Sequence, residues 1–259
     1  AYDNKVGLPH RTGLEVREAV GHLTSKNDSN YMESLDVQAA IGQGNTVVTP
    51  IQLATYAATL ANNGTRYRTH FVKAILDSNT GEVIRETQPE VMDVIEDRGD
   101  TFDLVRQGMI GVSETMSGLK NYPVTIACKT GTPQRSETYY VGSTRKHYTN
   151  TMMVAYGPAE DAEIALGIVI EYGGGGARAG NLVADIFDAY YAMKDGSLNE
   201  DGTIGKQETA ADSTSAAQTA PAQTETGADA AADTATDLAA GTTDAAQETA
   251  PAGQDVLDN

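Results

Sequence analysis

The sequence predicts an α+β domain, with helices packed on an antiparallel sheet and an acidic tail behind it. Three features carry this reading. A helix start is spelled out at Thr49-Pro50-Ile51-Gln52, two apolar runs at 151–156 and 164–171 are separated by a short turn, and the composition changes abruptly near residue 197. Strands joined by so short a turn pair antiparallel, because parallel neighbours need a crossover of about a dozen residues or more.

Residues 1–40 carry Gly7, Pro9, Gly13 and Gly21 with little periodicity and read as loop. The next segment begins with Thr49 as N-cap, Pro50 at the first helical position and Gln52 placed to close a capping box. Ile51, Ala54, Ala58 and Ala61 follow at helical spacing, and Asn62-Asn63-Gly64 supplies the stop. A helix of such small residues packs closely against a neighbour. Residues 72–76 and 82–84 flank a turn at 77–81 and predict a hairpin. Residues 97–116 predict a helix with Phe102, Val105, Met109 and Val112 on one face. A short β-rich run covers 124–130 and ends in Gly131. Strands follow at 151–156 and 164–171, joined by the turn 157–161. The second is almost wholly apolar, as expected at the centre of a sheet covered on both faces. Gly173 to Gly176 form a flexible loop, and Leu182, Ile186, Ala189 and Tyr190 mark a closing amphipathic helix.

The 259-residue chain has a formal net charge of −18. Residues 200–259 hold 12 acids and one base, Lys206, a net of −11 that leaves −7 for residues 1–199. That segment is mostly Ala, Thr, Gln, Asp and Glu, with too little apolar surface to offset the entropy of ordering. Residues 1–196 are therefore expected as the folded unit and 197–259 as a disordered tail. The folded part has no basic cluster, which argues against nucleic acid as a partner. A single cysteine, Cys128, excludes an internal disulfide framework, and His10, His22, His70 and His147 are scattered without metal-ligand spacing. Neither a metal nor a cofactor is expected. No run approaches the roughly 20 apolar residues that span a bilayer. The chain opens at Ala1 with neither Met nor a signal peptide, and its N-terminus reads as cut from something longer.

The segment with the sharpest chemistry is Lys129-Thr130-Gly131-Thr132, at the end of a β-run. Thr130 and Thr132 lie two residues apart on a strand, so their hydroxyls share one face. Lys129 supplies a fixed cation. Gly131 removes a side chain where another backbone must approach. The competing explanation for Lys129 is a solvated edge-strand lysine that deters aggregation.

These residues sit among further landmarks. Ile41-Gly42-Gln43-Gly44 with Thr49-Pro50-Ile51-Gln52-Leu53-Ala54 resembles the "IGQG…TPLQLA" signature of class B penicillin-binding proteins. Ala61-Asn62-Asn63-Gly64 is similar to that family's "ANGG" helix end, and Gly7 to Leu14 to its "GLG-x-x-TGI" segment. Gly157-Pro158-Ala159, with the strand to Glu171, resembles its "GFAP…VVVE" pair of strands. The resemblance runs from residue 1 to about 194. It implies the C-terminal portion of a serine transpeptidase/β-lactamase-like fold that performs acyl transfer on D-Ala-D-Ala stem peptides. A serine attacks the penultimate carbonyl, and an amine of a neighbouring strand captures the acyl-enzyme. Lys129 and Thr132 would be the catalytic residues here, and Thr130, Gly131 and Thr132 the substrate-binding ones. Lys129 would stabilise the terminal carboxylate and assist proton movement on a partner serine, and the Thr132 backbone N–H would be an oxyanion donor.

The nucleophile motif S-x-x-K is matched by Ser117-Gly118-Leu119-Lys120, but just before the Lys129 strand and around a helix end. The family places it far upstream, on a buried helix, so Ser117 reads as a solvated cap. Ser25-Lys26-Asn27 matches S-x-N but follows the "TGI"-like segment it should precede, and reads as a turn. Cys128 stands where the family usually has Gly, either narrowing the cleft or filling a pocket as a small hydrophobe. His147-Tyr148 is given a surface or packing role. Lys120-Asn121-Tyr122 replaces a small "GTA" element of many relatives.

The expected function is thus a peptidoglycan D,D-transpeptidase whose serine lies outside this segment, leaving the segment alone inactive. Partners implied are peptidoglycan stem peptides, β-lactams and other cell-wall synthesis proteins. The implied location is the extracytoplasmic face of the bacterial membrane, held by an N-terminal anchor. Two alternatives stay open: a β-lactamase-like or penicillin-sensing relative, and a surface protein whose tail does the work.

Overall fold

The computed structural model describes residues 2–205. Most of the acidic tail predicted at 197–259 lies outside them. The elements are α1 (Tyr2–Lys5), α2 (Glu33–Ala40), α3 (Pro50–Ala61), β1 (Thr65–Tyr67), β2 (Ala74–Leu76), β3 (Val83–Glu86), β4 (Val91–Val94), α4 (Thr101–Ser113), β5 (Ala127–Gly131), β6 (Gln134–Val141), β7 (Thr144–Thr149), β8 (Thr151–Gly157), β9 (Ile164–Ile170) and α5 (Ala179–Asp195). The fold is α+β, with β5, β8 and β9 forming an antiparallel sheet in that order.

Helices cover both faces of this sheet. On one, α3 and α4 pack through Leu60, Ala61 and Met109 onto Ala127, Tyr156 and Ala165. On the other, Val183 and Phe187 of α5 pack with Met116, Leu119, Ile126, Cys128, Met153 and Ile168. Alternation along β5 divides the two sets, Ala127 facing one way and Ile126 and Cys128 the other. Gly167 lets α3 rest on β9, since a Cβ there would lie 2.5 Å from the Pro50 carbonyl oxygen.

The start of α3 forms as its sequence dictates. Gln52 N–H donates to Thr49 Oγ1 at 3.3 Å, and Thr49 N–H donates to Gln52 Oε1 at 2.8 Å. Gln52 Nε2 also donates to the His10 carbonyl at 2.7 Å, tying the N-terminal loop to the helix. The buried positions are Gln52, Thr55, Ala57 and Thr59 rather than the Ile51/Ala54/Ala58/Ala61 stripe, which is only half-buried.

Four further expectations need correcting. The apolar strand β9 ends the sheet among the described strands, while β8 is central. Its apolar character comes from helices on both faces, not from two neighbours. Val105, predicted on the inner face of α4, is exposed, and Phe102, Met109 and Ser113 are the buried positions. The buried side of α5 is Ala179, Gly180, Val183, Phe187 and Ala192, and Leu182 points outward. Residues 197–205, placed in the tail by composition, form a turn bridged between Leu198 and Ile204, and Leu198 N–H donates to the Ala192 carbonyl at 3.0 Å.

The predicted 72–84 hairpin is present as β2–β3, with Asp77 accepting from the N–H groups of Asn79 and Thr80 in its turn. The helices α1 and α2 break the loop expected over residues 1–40, and β1, β4 and the hairpin β6–β7 have no counterpart in the sequence reading. Among the described residues no helix is long and apolar enough to cross a membrane.

Candidate functional site

Strand β5 carries Lys129, Thr130 and Gly131, and Thr132 lies just beyond its end. The strand pairs with β8 from Ala127↔Tyr156 to Gly131↔Met152. Its other edge has no strand among the described residues. Lys129 is exposed, and its ammonium donates to the Thr130 carbonyl at 2.7 Å, folding back over its own strand.

Thr130 and Thr132 do share a side. Both meet the loop before α5: a Cβ on Gly176 would lie 2.8 Å from Thr130 Cβ, and Gly176 N–H donates to Thr132 Oγ1 at 3.3 Å. A hydroxyl that accepts from a backbone N–H keeps its own proton free to donate. The Thr132 hydroxyl proton is therefore left available. The loop is itself fixed by Thr151, whose hydroxyl donates to the carbonyls of Gly174 and Gly175 at 3.2 and 3.1 Å.

Gly131 has little crowding of its own. A Cβ there would make an ordinary contact of 3.4 Å with Met152 Cβ. Packing within the chain does not demand glycine at this position.

Cys128 is fully buried, its Sγ 3.8 Å from Met116 Sδ. Burial pushes its thiol up to about 11, so it is a neutral core group. Of its two sequence readings, the small hydrophobe is the one observed.

Beyond β5, Arg135 of β6 organises the hairpin. Its guanidinium lies 4.2 Å from the centre of the Tyr172 ring, donates to Glu137 at 3.1 and 3.2 Å, and reaches Asn150 Oδ1 at 3.4 Å. Hydrogen bonds from Arg135 hold the Glu137 carboxyl down to about 2. Tyr148 packs between Tyr139 and Tyr172, at 4.7 and 5.4 Å between ring centres, so it has a packing role. His147 Nδ1 lies 2.8 Å from the Arg135 carbonyl. Tyr122 packs edge-on against Phe187, and its hydroxyl donates to Asp188 at 2.6 Å.

Among the described residues, the serines that match the sequence motifs lie outside the helices packed on the lysine strand's sheet. Ser117 is exposed in the turn after α4, and Ser25 caps a turn closed with Asp28. Sequence reasoning passed over two other matches. Ser143-Thr144-Arg145-Lys146 fits S-x-x-K but begins in the exposed turn between β6 and β7, and Ser197-Leu198-Asn199 fits S-x-N but lies in the turn after α5. Neither offers a serine on the first turn of a buried helix. Concavities of about 450 Å³ beside Tyr122 and about 330 Å³ over α3 are not lined by Lys129 to Thr132. The strand presents an open edge, and an enclosed cleft needs a second wall. Among the described residues no cluster of His, Cys, Asp and Glu could hold a metal ion.

Sequence reasoning also missed Gln43. Its side chain donates to the Thr132 carbonyl at 3.5 Å and accepts from Gln134 N–H at 3.2 Å. The "IGQG" resemblance marked this residue without saying what it touches.

Residues 1–189 match the penicillin binding protein transpeptidase domain. Penicillin-binding protein 2A of Bacillus subtilis is 30% identical over 210 residues, covering 74% of this chain and 28% of the relative. Peptidoglycan D,D-transpeptidase MrdA of Escherichia coli is 25% identical over 202 residues, covering 71% of this chain and 32% of the relative. Penicillin-binding protein 2B of Streptococcus pneumoniae superposes with a TM-score of 0.61 at 28% identity, over 76% of this chain and 32% of that one. The chain thus spans about a third of the length of the relatives it matches. The Lys-Thr-Gly strand, the helix-covered sheet and the match over residues 1–189 agree, and the chain belongs to the penicillin-binding protein transpeptidase family, as its class B landmarks led one to expect.

Proposed function

We propose that the full-length protein is a serine-type peptidoglycan D,D-transpeptidase and that residues 129–132 form one wall of its acyl-transfer site. The supporting observation is the free edge of β5, with an exposed ammonium at Lys129 and a Thr132 hydroxyl oriented by Gly176 N–H. In this reading the stem peptide lies along the edge, and its terminal carboxylate takes hydrogen bonds from Thr130 and Thr132. Lys129 supplies the neutralising charge and assists proton movement on the attacking serine. Thr132 N–H receives the developing oxyanion. The serine, its partner lysine and the S-x-N element belong to the part of the protein beyond this segment. β-Lactams occupy the same site as acylating analogues. The protein works at the outer face of the membrane with other cell-wall synthesis proteins.

The test is covalent labelling of the full-length protein with a fluorescent penicillin, coupled to D-Ala release from a pentapeptide substrate. A stable adduct on a serine outside residues 1–259, with D-Ala release, supports the reading. Rapid turnover of the adduct would instead indicate a β-lactamase. Residues 1–259 alone are expected to form no adduct, and one found on Ser117 or Ser143 would overturn the exclusion of those serines.

A further inference from the structure

The motif Ile41-Gly42-Gln43-Gly44 has no role in the chemistry above. Its geometry is specific. Gly42 and Gly44 have φ of 74° and 97°, left-handed values that favour glycine, and they flank Gln43 in the turn that ends α2. Gln43 N–H donates to the Gln38 carbonyl at 2.9 Å and Gly42 N–H to the Ala39 carbonyl at 3.0 Å, so the turn is fastened to the helix. From there the carboxamide reaches Thr132 and Gln134, 89 and 91 residues away in sequence. The Thr132 carbonyl needs a donor and the Gln134 N–H an acceptor, so only one orientation of the amide serves both.

Which edge it occupies follows from its neighbours. The Pro133 carbonyl accepts from Asn150 N–H at 3.0 Å, on the β8 side. Successive carbonyls of an extended chain point in opposite directions, so the Thr132 carbonyl and Gln134 N–H face the free edge. Donating to residue i and accepting from residue i+2 is the pattern of one residue in a neighbouring parallel strand. Gln43 thus stands in for a strand on the free edge where β5 leaves the sheet.

We propose that Gln43 is a positioning residue of the transpeptidase, a latch that fixes the exit of β5 and holds Thr132 in register for its ligand. Thr132 is then held from two directions, its carbonyl by Gln43 and its hydroxyl by Gly176. An extended ligand can pair along the edge as far as Thr132 N–H, and the carboxamide closes the edge beyond it. This inference rests on the transpeptidase reading.

The experiment uses the full-length enzyme, wild type, Gln43→Ala and Gln43→Glu, with three measurements: the concentration dependence of acylation by a fluorescent penicillin, hydrogen exchange at the Gln134 amide, and the thermal midpoint. In Gln43→Ala the limiting acylation rate should fall about tenfold with little change in the half-saturating concentration, and Gln134 should lose protection. Gln43→Glu keeps an acceptor for Gln134 but has no donor for Thr132. It should retain Gln134 protection while acylating as slowly as the alanine variant. Both should melt close to wild type. Unchanged limiting rates in the two variants, or full Gln134 protection in Gln43→Ala, would overturn the latch. A slowdown matched by a large fall in thermal midpoint for both variants would equally overturn it, as a general structural defect. Absence of any adduct on wild type sinks the transpeptidase reading itself, whereas a wild-type adduct with unaffected variants sinks only the role of Gln43.

Discussion

Gly176 donates its backbone N–H to Thr132 Oγ1 at 3.3 Å, and a Cβ on the same glycine would lie 2.8 Å from Thr130 Cβ. One residue therefore sets both threonines of the Lys-Thr-Gly-Thr segment. Its lack of a side chain is what allows the loop before α5 to come so close to β5.

Gly176→Ala should push this loop and β5 apart. Overpacking of this kind costs about 1–3 kcal/mol, and the Thr132 hydroxyl loses the contact that orients it. The full-length variant should melt lower and acylate more slowly with penicillin. A variant with wild-type acylation would show that Gly176 does not set Thr132.

Gly131→Ala separates space needed by the fold from space needed by a ligand. Its Cβ would meet only Met152, at 3.4 Å, and Gly131 is not among the residues with positive φ. Stability should change by less than about 1 kcal/mol, the range of ordinary surface or strand substitutions. Acylation of the full-length enzyme should nonetheless fall at least about tenfold, because a small displacement of the reacting groups is costly. Loss of stability with acylation rate preserved would mean that the glycine serves packing alone.

What was legible in the sequence was mostly local. The Thr49–Gln52 capping box and the Asp77 turn depend on residues within a few positions of each other, and both formed as read. The alternation that places Thr130 and Thr132 on one side is also local. The face of α5 was not. Leu182/Ile186/Ala189/Tyr190 and Ala179/Val183/Phe187 are both apolar stripes at helical spacing, and the choice is made by a distant residue. A Cβ on Gly157 would lie 2.7 Å from Phe187 Cε1, so the space Phe187 fills exists only because β8 ends in glycine. Strands β6 and β7 were missed because Arg, Glu, Lys and Ser dilute their β-prone tyrosines and threonines, although Gly142-Ser143 is a two-residue hairpin signal. Gln43 reaches the site across 89 residues, and no local pattern encodes that reach.

Cys128 predicts a pH dependence. Burial raises its thiol from 9.0 to about 11. Between those values the unfolded chain gives up the proton while the native chain keeps it. The native state then binds more protons, so stability falls as pH rises through this window. Urea midpoints of the full-length protein should drop from pH 8.5 to pH 11, less steeply in Cys128→Ala. Tyr122, Tyr156 and Tyr191, raised by burial, and Tyr31 and Lys194, raised by hydrogen bonds to Asp36 and Glu163, add slope of the same sign. The native thiol should resist iodoacetamide at pH 8 and react once the chain is unfolded. Cys128→Ser buries a hydroxyl next to a thioether and should cost about 1–3 kcal/mol.

The last prediction concerns α5, which holds the loop carrying Gly176. Phe187 is fully buried, with ring contacts to Tyr122 and Tyr191 at 6.0 and 6.3 Å, whereas Leu182 is 38% exposed. Phe187→Ala leaves a cavity that the sheet cannot close, and should cost about 3–5 kcal/mol. Leu182→Ala removes a side chain already largely in water and should cost under about 1 kcal/mol, as an exposed position does. The stripe read from periodicity alone would make Leu182 the costly site. Urea denaturation of the two full-length variants decides between them, and equal losses would mean that α5 is rotated from the orientation described. Because the loop leads through a 3-10 turn at Gly176–Arg178 into this helix, Phe187→Ala should also lower penicillin acylation, while Leu182→Ala leaves it unchanged.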